Sequence, residues 1–342
     1  MDHLLPPDWF LTQSQWVLLA VAALAMVVLL RGADLLVDGA AGLAARFGVP
    51  EVIIGATVVS LGTTSPEAAV SVMAAWSGEP GLALGNAIGS IVADTGLIFG
   101  LGCMLAVIPA KSKVLSRQGW IQFSAAAALA VFCYGAAYFQ GEEATLGRPV
   151  GVLLLMGLIA YIVCTIRWGR SGAEEEPVAS DRGLTVLIAM GIGGLAMVLV
   201  ASRVMVLSMI VLAEVHWQVP SVVVAATLVA FGTSLPELAI GITCVLRGKT
   251  ELLVGNVIGA DILNVLFVVG ASAVAAPLPI LDPSAEIPDI LLIVHVPAML
   301  LILALFRLFI LRATRQGNFR RWYGVPLVVC YVLYVVVQYV IS

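Results

Sequence analysis

Two glutamates, Glu67 and Glu237, each close a nearly identical short pattern: Gly62-Thr63-Thr64-Ser65-Pro66-Glu67 and Gly232-Thr233-Ser234-Leu235-Pro236-Glu237. On a helix, residues four apart share a face, so Thr63 lies beside Glu67 and Thr233 beside Glu237. Pro66 and Pro236 have no N–H to give, which frees a carbonyl one turn earlier and predicts a loosened helix near Gly62 and Gly232. A carboxylate, a hydroxyl and a free carbonyl are all hard oxygen donors. Such a set suits Na⁺ or Ca²⁺ and suits Zn²⁺ or Cu²⁺ poorly.

Each pattern is followed by a second repeated stretch. The first copy runs from Gly85 through Asn86, Gly89 and Ser90 to Asp94; the second runs from Gly255 through Asn256, Gly259 and Ala260 to Asn264. Every equivalent pair lies 170 positions apart without a gap. Asn86, Ser90 and Asp94 form one helical stripe, repeated as Asn256, Ala260 and Asn264. The glycines allow helices to approach closely, and both they and the two asparagines have an alternative reading as helix–helix packing residues. For the glutamates that alternative is weak. An ionised carboxylate in mid-bilayer costs several kcal/mol, and neither glutamate has a basic residue near it in sequence.

The elements that must position these residues are membrane helices. Of 342 residues, 61% are hydrophobic and 11% charged, whereas a soluble domain carries about twice that charged share. Apolar runs recur at bilayer-spanning length. Ten spans are expected, over 15–46, 50–77, 81–108, 119–138, 149–168, 183–213, 219–246, 251–275, 288–310 and 323–341. The start has no basic region before its first apolar run, so that span is expected to be retained rather than cleaved as a signal. Cys103, Cys133, Cys164, Cys244 and Cys330 sit singly in apolar runs and read as packing residues. His3, His216 and His295 form no cluster. Neither HExxH nor GxSxG occurs, which leaves an intramembrane enzyme without support. Trp9, Trp16, Trp120, Trp168, Trp217 and Trp322 fall near span ends, as an interfacial belt would.

Lysine and arginine are sorted by junction. Odd-to-even junctions hold Arg46, Lys111, Lys113, Arg117, Arg167, Arg170, Arg182, Arg247, Lys249, Arg307, Arg312, Arg315, Arg320 and Arg321. The opposite junctions hold Arg148 together with Glu79, Glu142, Glu143, Glu214, Asp282, Glu286 and Asp289. The positive-inside rule then places both termini outside and the acidic linker 169–182 in the cytoplasm. With five spans in residues 1–168 and five in 183–342, the second copy of the motif enters the membrane from the opposite side. The expected fold is an all-α polytopic membrane protein of ten transmembrane helices in two inverted five-helix repeats, which brings equivalent residues together near the midplane.

The paired GT(S/T)xPE…GNxIG(S/A) segments resemble the α-repeats of the sodium/calcium exchangers, within the cation/Ca²⁺ exchanger superfamily. The likeness runs from about Leu29 to Gly100 and from Leu199 to Gly270. It implies a cation cluster at the centre of the fold in which Glu67 and Glu237 are shared Ca²⁺ carboxylates. By the same resemblance Thr63 and Thr233 supply carbonyl and hydroxyl oxygens, with Thr64 and Ser234 beside them. Ser60 and Ala230 offer backbone carbonyls, and Ser90, Asp94 and Asn264 line flanking Na⁺ positions. The family's usual serine is replaced by Ala260, and the acid of the Asp94/Asn264 pair stands in the first half, whereas some relatives carry it in the second. Asp261 is an additional carboxylate, matched by Ile91 in the first copy. It either replaces the missing ligand or faces a polar crevice without a role; its helix face, off the Asn256/Asn264 stripe, favours the second.

The function implied is secondary antiport, Na⁺ against Ca²⁺, by alternating access at one midplane site in the plasma (inner) membrane. The nearest alternative is a cation/H⁺ antiporter in which the carboxylates load protons. A passive channel fits an inverted repeat around a single site less well. The ions are cargo, so no resident cofactor is expected, and no partner is expected beyond Ca²⁺, Na⁺ and the lipid bilayer; nucleic acid is not one. The long spans 15–46 and 183–213 are the expected moving pair, with Arg31, Arg203, Asp34 and Asp38 acting as snorkelling or pairing charges rather than ligands.

Overall fold

The structure is a computed structural model and describes residues 7–76, 80–110, 113–171, 182–217, 234–281 and 290–341. It is built almost wholly of helices. After the short α1 (Pro7–Leu11) comes α2 (Gln15–Phe47). A continuous helical run then comprises α3 (Glu51–Ile54), a wide π turn (Gly55–Val59) and α4 (Ser60–Trp76). Next are α5 (Pro80–Ala93), a π turn (Asp94–Phe99) and α6 (Gly100–Leu105), followed by α7 (Lys113–Gln140) and α8 (Arg148–Ser171).

In the second half lie α9 (Leu184–Val211), α10 (Leu235–Leu246) and α11 (Thr250–Leu263). A π turn (Asn264–Val269) leads into α12 (Gly270–Ala275); α13 (Val296–Gln316) and α14 (Gly324–Ile341) complete the chain. Among the described residues, eight helices are long and apolar enough to cross a membrane. The expected span 50–77 corresponds to the α3–π–α4 run, and the expected span 219–246 is described only from Ser234 onward. The span expected to end at 310 continues to Gln316 and takes Arg312 and Arg315 out of the junction, while Arg307 lies deeper inside α13. There it is buried, donates to the Ser116 carbonyl at 3.1 Å and lies 4.3 Å over the Trp120 ring.

Burial separates a core from outer helices. Of the most apolar stretch of the Thr250–Ala275 helix, 94% lies inside the protein, against 28% for Gln15–Phe47 and 22% for each of Arg148–Trp168, Leu184–Val211 and Arg321–Gln338. Two of the outer helices, α2 and α9, pack on each other through small residues. A Cβ added to Gly194 would meet the Leu36 nitrogen at 2.5 Å, and one added to Gly39 would meet the Gly191 nitrogen at 2.8 Å. Asp34 and Asp38 on α2 pair with Arg247, just past the end of α10, at 2.9 and 3.3 Å. Those two aspartates are therefore pairing charges, as their sequence positions suggested.

In the core, α11 crosses the α3–π–α4 run backbone to backbone. A Cβ at Gly255 would stand 2.2 Å from the Val52 carbonyl oxygen, and one at Gly259 would stand 2.5 Å from the Ala56 Cα. Both glycines thus serve close packing here, and neither obstacle can swing aside. Gly259→Val is therefore expected to cost about 3 kcal/mol, the upper end for overpacking, seen as a lowered melting temperature and loss of monodispersity in detergent. Gly135→Ala, with nothing within 4 Å, is the control and should change stability by about 1 kcal/mol or less.

Contacts between junctions sort them into two ends. At one end β1 (Ile108–Pro109) pairs antiparallel with β4 (Asn318–Phe319), Lys249 bonds Glu51 at 2.9 Å, and Arg117 lies over the Trp168 ring. At the other, β2 (Thr145–Leu146) pairs antiparallel with β3 (Leu278–Pro279), and a His216 ring nitrogen lies 3.0 Å from the Gln13 carbonyl oxygen. Each contact joins junctions that the lysine and arginine sorting assigns to one side.

Candidate ion-binding site

Glu67 lies seven residues into α4. The helix passes through Pro66 without a break, contrary to the loosening expected at Gly62. The irregularity lies one turn upstream, in the π turn Gly55–Val59. Pro66 removes only one backbone hydrogen bond, and Gly62 carries no Cβ to crowd the neighbouring α9 side chain of Leu195. The π turn needs outside partners for its carbonyls, and the Tyr161 hydroxyl of α8 supplies one by donating to the Ala56 oxygen at 2.8 Å. In the second copy the arrangement differs. Helix α10 begins at Leu235 with Ser234 as its N-cap, so Pro236 sits in the first turn, where no N–H is required, and Glu237 follows it.

The companion helices α5 and α11 end in matching π turns, one opening on Asp94 and the other on Asn264. Single π turns widen a helix and re-aim the side chain at their start, and they recur at functional sites. Neither turn was legible in the residue pattern.

These elements bring the acidic groups together in the interior. Glu67, Asp94 and Asp261 are each 1% exposed and Glu237 is 3% exposed. Glu67 repels Glu237 and Asp94, and Asp94 repels Glu237 and Asp261, so the four carboxylates form one contiguous chain of like charges. The Thr63 hydroxyl lies 3.3 Å from the Ser60 carbonyl oxygen and within hydrogen-bonding reach of the Glu237 carboxylate, linking the two copies of the motif. None of the Lys/Arg–carboxylate ion pairs formed among the described residues involves these four acids. Glu67 Oε2, Glu237 Oε2, both Asp94 oxygens and Asp261 Oδ1 are buried without a hydrogen-bond partner among the described residues, as are Thr64 Oγ1 and Asn264 Oδ1. Burying charge in this way costs several kcal/mol per group unless a counter-charge arrives.

The other expected residues fall around this chain. Ser60, Thr63, Thr64, Ser90, Ser234 and Asn264 are all buried. Thr233 and Ala230 lie outside the described residues. Asn86 hydrogen-bonds Ser71 across α4 and α5 at 3.1 Å, which is the packing role, while both polar side-chain atoms of Asn256 are buried without a partner among the described residues. No three Asp, Glu, His or Cys side chains among the described residues converge tightly enough to hold a metal ion unaided. A cation here would therefore draw on neutral oxygens as well, which is the mixed, hard donor set of Na⁺ and Ca²⁺ sites.

Asp261 lies in a closed polar setting: its Oδ2 accepts hydrogen bonds from Thr95 Oγ1 and Gln122 Nε2, both at 2.5 Å. Sequence reading missed Thr95 and Gln122. The available signal was Gln118 and Gln122, one helical turn apart on α7 and both buried.

Comparison with known proteins agrees with this architecture. The chain is 33% identical over 95% of its length to inner membrane protein YrbG of Escherichia coli K12, covering 98% of that protein. It is 28% identical over 94% of its length to the sodium/calcium exchanger MaX1 of Methanosarcina acetivorans, covering 98% of it. Among solved structures, the sodium-calcium exchanger NCX_Mj soaked with Na⁺ and Sr²⁺ superposes with a TM-score of 0.79 at 26% identity, over 94% of this chain and 99% of that one. The family model described as sodium/calcium exchanger protein matches residues 17–167 and 186–340, each segment containing one copy of the glutamate motif. With both halves matched, this integral membrane protein belongs to the sodium/calcium exchanger family.

Proposed function

We propose that the protein is a secondary antiporter that moves Ca²⁺ against Na⁺ by alternating access, through one site shared by its two halves. The observation that carries this reading is the burial of Glu67 and Glu237, one from each motif copy, each with a carboxylate oxygen unpartnered and with no basic partner among the described residues. Either one Ca²⁺ or several Na⁺ neutralise that pair. In the ion-free form the charges hold the cavity to water, because sealing them off costs several kcal/mol per group. Only loaded forms then pass between inward- and outward-open states, and the two ions are coupled without covalent chemistry. In the full ligand set, Glu67 and Glu237 hold Ca²⁺, while Thr63, Thr233, Thr64, Ser234 and the carbonyls of Ser60 and Ala230 complete its shell. Ser90, Asp94 and Asn264 line the flanking Na⁺ positions.

The scaffold for this cycle is ten membrane helices in two inverted repeats, residues 1–168 and 183–342, joined by a cytoplasmic linker at 169–182 with both termini outside. Three features support it. The π turns at Asp94–Phe99 and Asn264–Val269 recur at the repeat spacing. The short strands pair reciprocally, β1 of the first half with β4 of the second and β3 of the second with β2 of the first. The basic junctions meet at one end. The outer pair α2 and α9, less buried than the core and joined through glycines, is the element that slides.

A second reading is a cation/H⁺ antiporter. It is favoured by Ala260, which has no hydroxyl to offer a Na⁺ ion, and by the number of buried carboxylates able to take protons. Reconstituted protein loaded with Na⁺ is expected to take up radiolabelled Ca²⁺ in proportion to the outward Na⁺ gradient, and to show little uptake under a pH gradient in Na⁺-free medium. Uptake driven by the pH gradient alone would establish the second reading instead.

A further inference from the structure

Asp261 has a built environment that the central site does not use. It sits on α11, where the first copy has Ile91, so the repeat provides no symmetric counterpart. Its Oδ2 is held by Thr95 and Gln122, which leaves Oδ1 buried and without a partner among the described residues. Asp94, the neighbour of Thr95 in sequence, lies close enough for the two carboxylates to repel, and both its oxygens are likewise buried without a hydrogen-bond partner among the described residues. Two neighbouring carboxylates at 1% exposure, with neither in an ion pair with any lysine or arginine among the described residues, call for a neutralising positive charge, which a cation or a proton supplies.

We propose that Asp94 and Asp261, with the Thr95 hydroxyl, form a second cation site beside the glutamate pair, and that it takes a monovalent ion of the Na⁺ class. Asp94 supplies two oxygens, Asp261 Oδ1 a third, and the lone pair left on Thr95 Oγ1 a fourth, the other accepting from Gln122 at 3.4 Å. Ca²⁺ takes about six to eight oxygens, and the apolar neighbours Val257, Ile258 and Ile262 of α11 are fully buried around the acid and provide none. A smaller donor number is sufficient for Na⁺. Gln122 donates its N–H rather than an oxygen, so it acts as a positioning residue that orients Asp261. Na⁺ held here offers a reason why the chain tolerates Ala260: the oxygen missing from that flanking position is offset by a carboxylate one residue on.

The inference rests on the antiport reading for the identity of the ion and not for the existence of the site. The test is equilibrium binding of radiolabelled Na⁺, and separately of Ca²⁺, to the purified full-length protein in lipid nanodiscs. Asp261→Asn keeps the shape of the side chain, and it is expected to lower the number of Na⁺ bound per protein by one while changing Ca²⁺ affinity less than about threefold. Thr95→Val should weaken Na⁺ binding about tenfold in the same component, and it reads the site should Asp261→Asn not fold. Gln122→Met should weaken it with the Na⁺ count unchanged, as a positioning role requires. An unchanged Na⁺ count and affinity in folded Asp261→Asn, or in Thr95→Val, overturns the proposal and leaves the Asp261–Gln122 pair as a helix-to-helix tie. Glu67→Gln separates the two readings. Ca²⁺ binding that survives in that variant defeats the central site, whereas the Na⁺ count lost with Asp261 is scored independently of it.

Discussion

Glu67→Gln and Glu237→Gln are each expected to abolish Na⁺-driven Ca²⁺ uptake into proteoliposomes. Glutamine preserves size and one acceptor oxygen, so the change removes the charge and turns the other oxygen into a donor. Breaking one member of a buried charge set costs about 3–5 kcal/mol, which corresponds to a loss of about two to three and a half orders of magnitude in affinity. The two variants should be equally affected, because the carboxylates serve one site from opposite halves. A second consequence follows from the electrostatics. In the ion-free wild type, Glu67 repels both Glu237 and Asp94, so removing its charge lessens the repulsion and should raise the stability of the protein in the absence of Ca²⁺. Loss of transport accompanied by an unchanged or higher melting temperature would separate a binding defect from misfolding. Full uptake in either variant would leave the antiport reading without its site.

How far these features were legible in the residues depends on whether they recur. Glu67 and Glu237 could be found because duplication at fixed spacing marks them out in a chain with so few charges. The helix-rich architecture followed from apolar run length, and the grouping of junctions at two ends followed from lysine and arginine. What the repeat could not reveal is whatever breaks it. Thr95 stands where the second copy has Val265, Gln122 where it has Leu292, and Asp261 where the first copy has Ile91. The three meet in one hydrogen-bonded group assembled from three separate helical segments.

The π turns were hidden for a different reason. A π turn is one residue of extra width in an otherwise ordinary helix, set by which tertiary partners accept the displaced backbone groups, as Tyr161 does for Ala56. Pro66 misled in the opposite direction. Proline and glycine near Glu67 suggested a break, yet the helix absorbs Pro66, and the Ser65 hydroxyl adds a hydrogen bond to the Leu61 carbonyl at 2.5 Å. In α10 the same proline lies in the first turn. One motif is thus read twice by different tertiary surroundings, so local signals alone could not fix the backbone at either copy.

That difference between the copies bears on the acid that stands between them. Asp94 and Asn264 each open a π turn at equivalent positions, and Asp94 faces both glutamates. If the halves are related by an in-plane two-fold axis, a carboxylate at position 264 approaches the same pair from the other side. Asp94→Asn is therefore expected to lower Na⁺-driven Ca²⁺ uptake about tenfold or more, a loss of at least ~1.4 kcal/mol of binding. Adding Asn264→Asp to that variant should restore Ca²⁺ affinity to within about threefold of wild type, because the central charge is again complete. The rescue should not extend to the Na⁺ count, since Asp261 would still face an asparagine and the second cation site would remain broken. Calcium binding and Na⁺ stoichiometry measured on the same double variant thus test two claims at once. A double variant that binds Ca²⁺ no better than Asp94→Asn would show that positions 94 and 264 are not interchangeable about the glutamates, and the two-fold relation would fail at the place where transport depends on it.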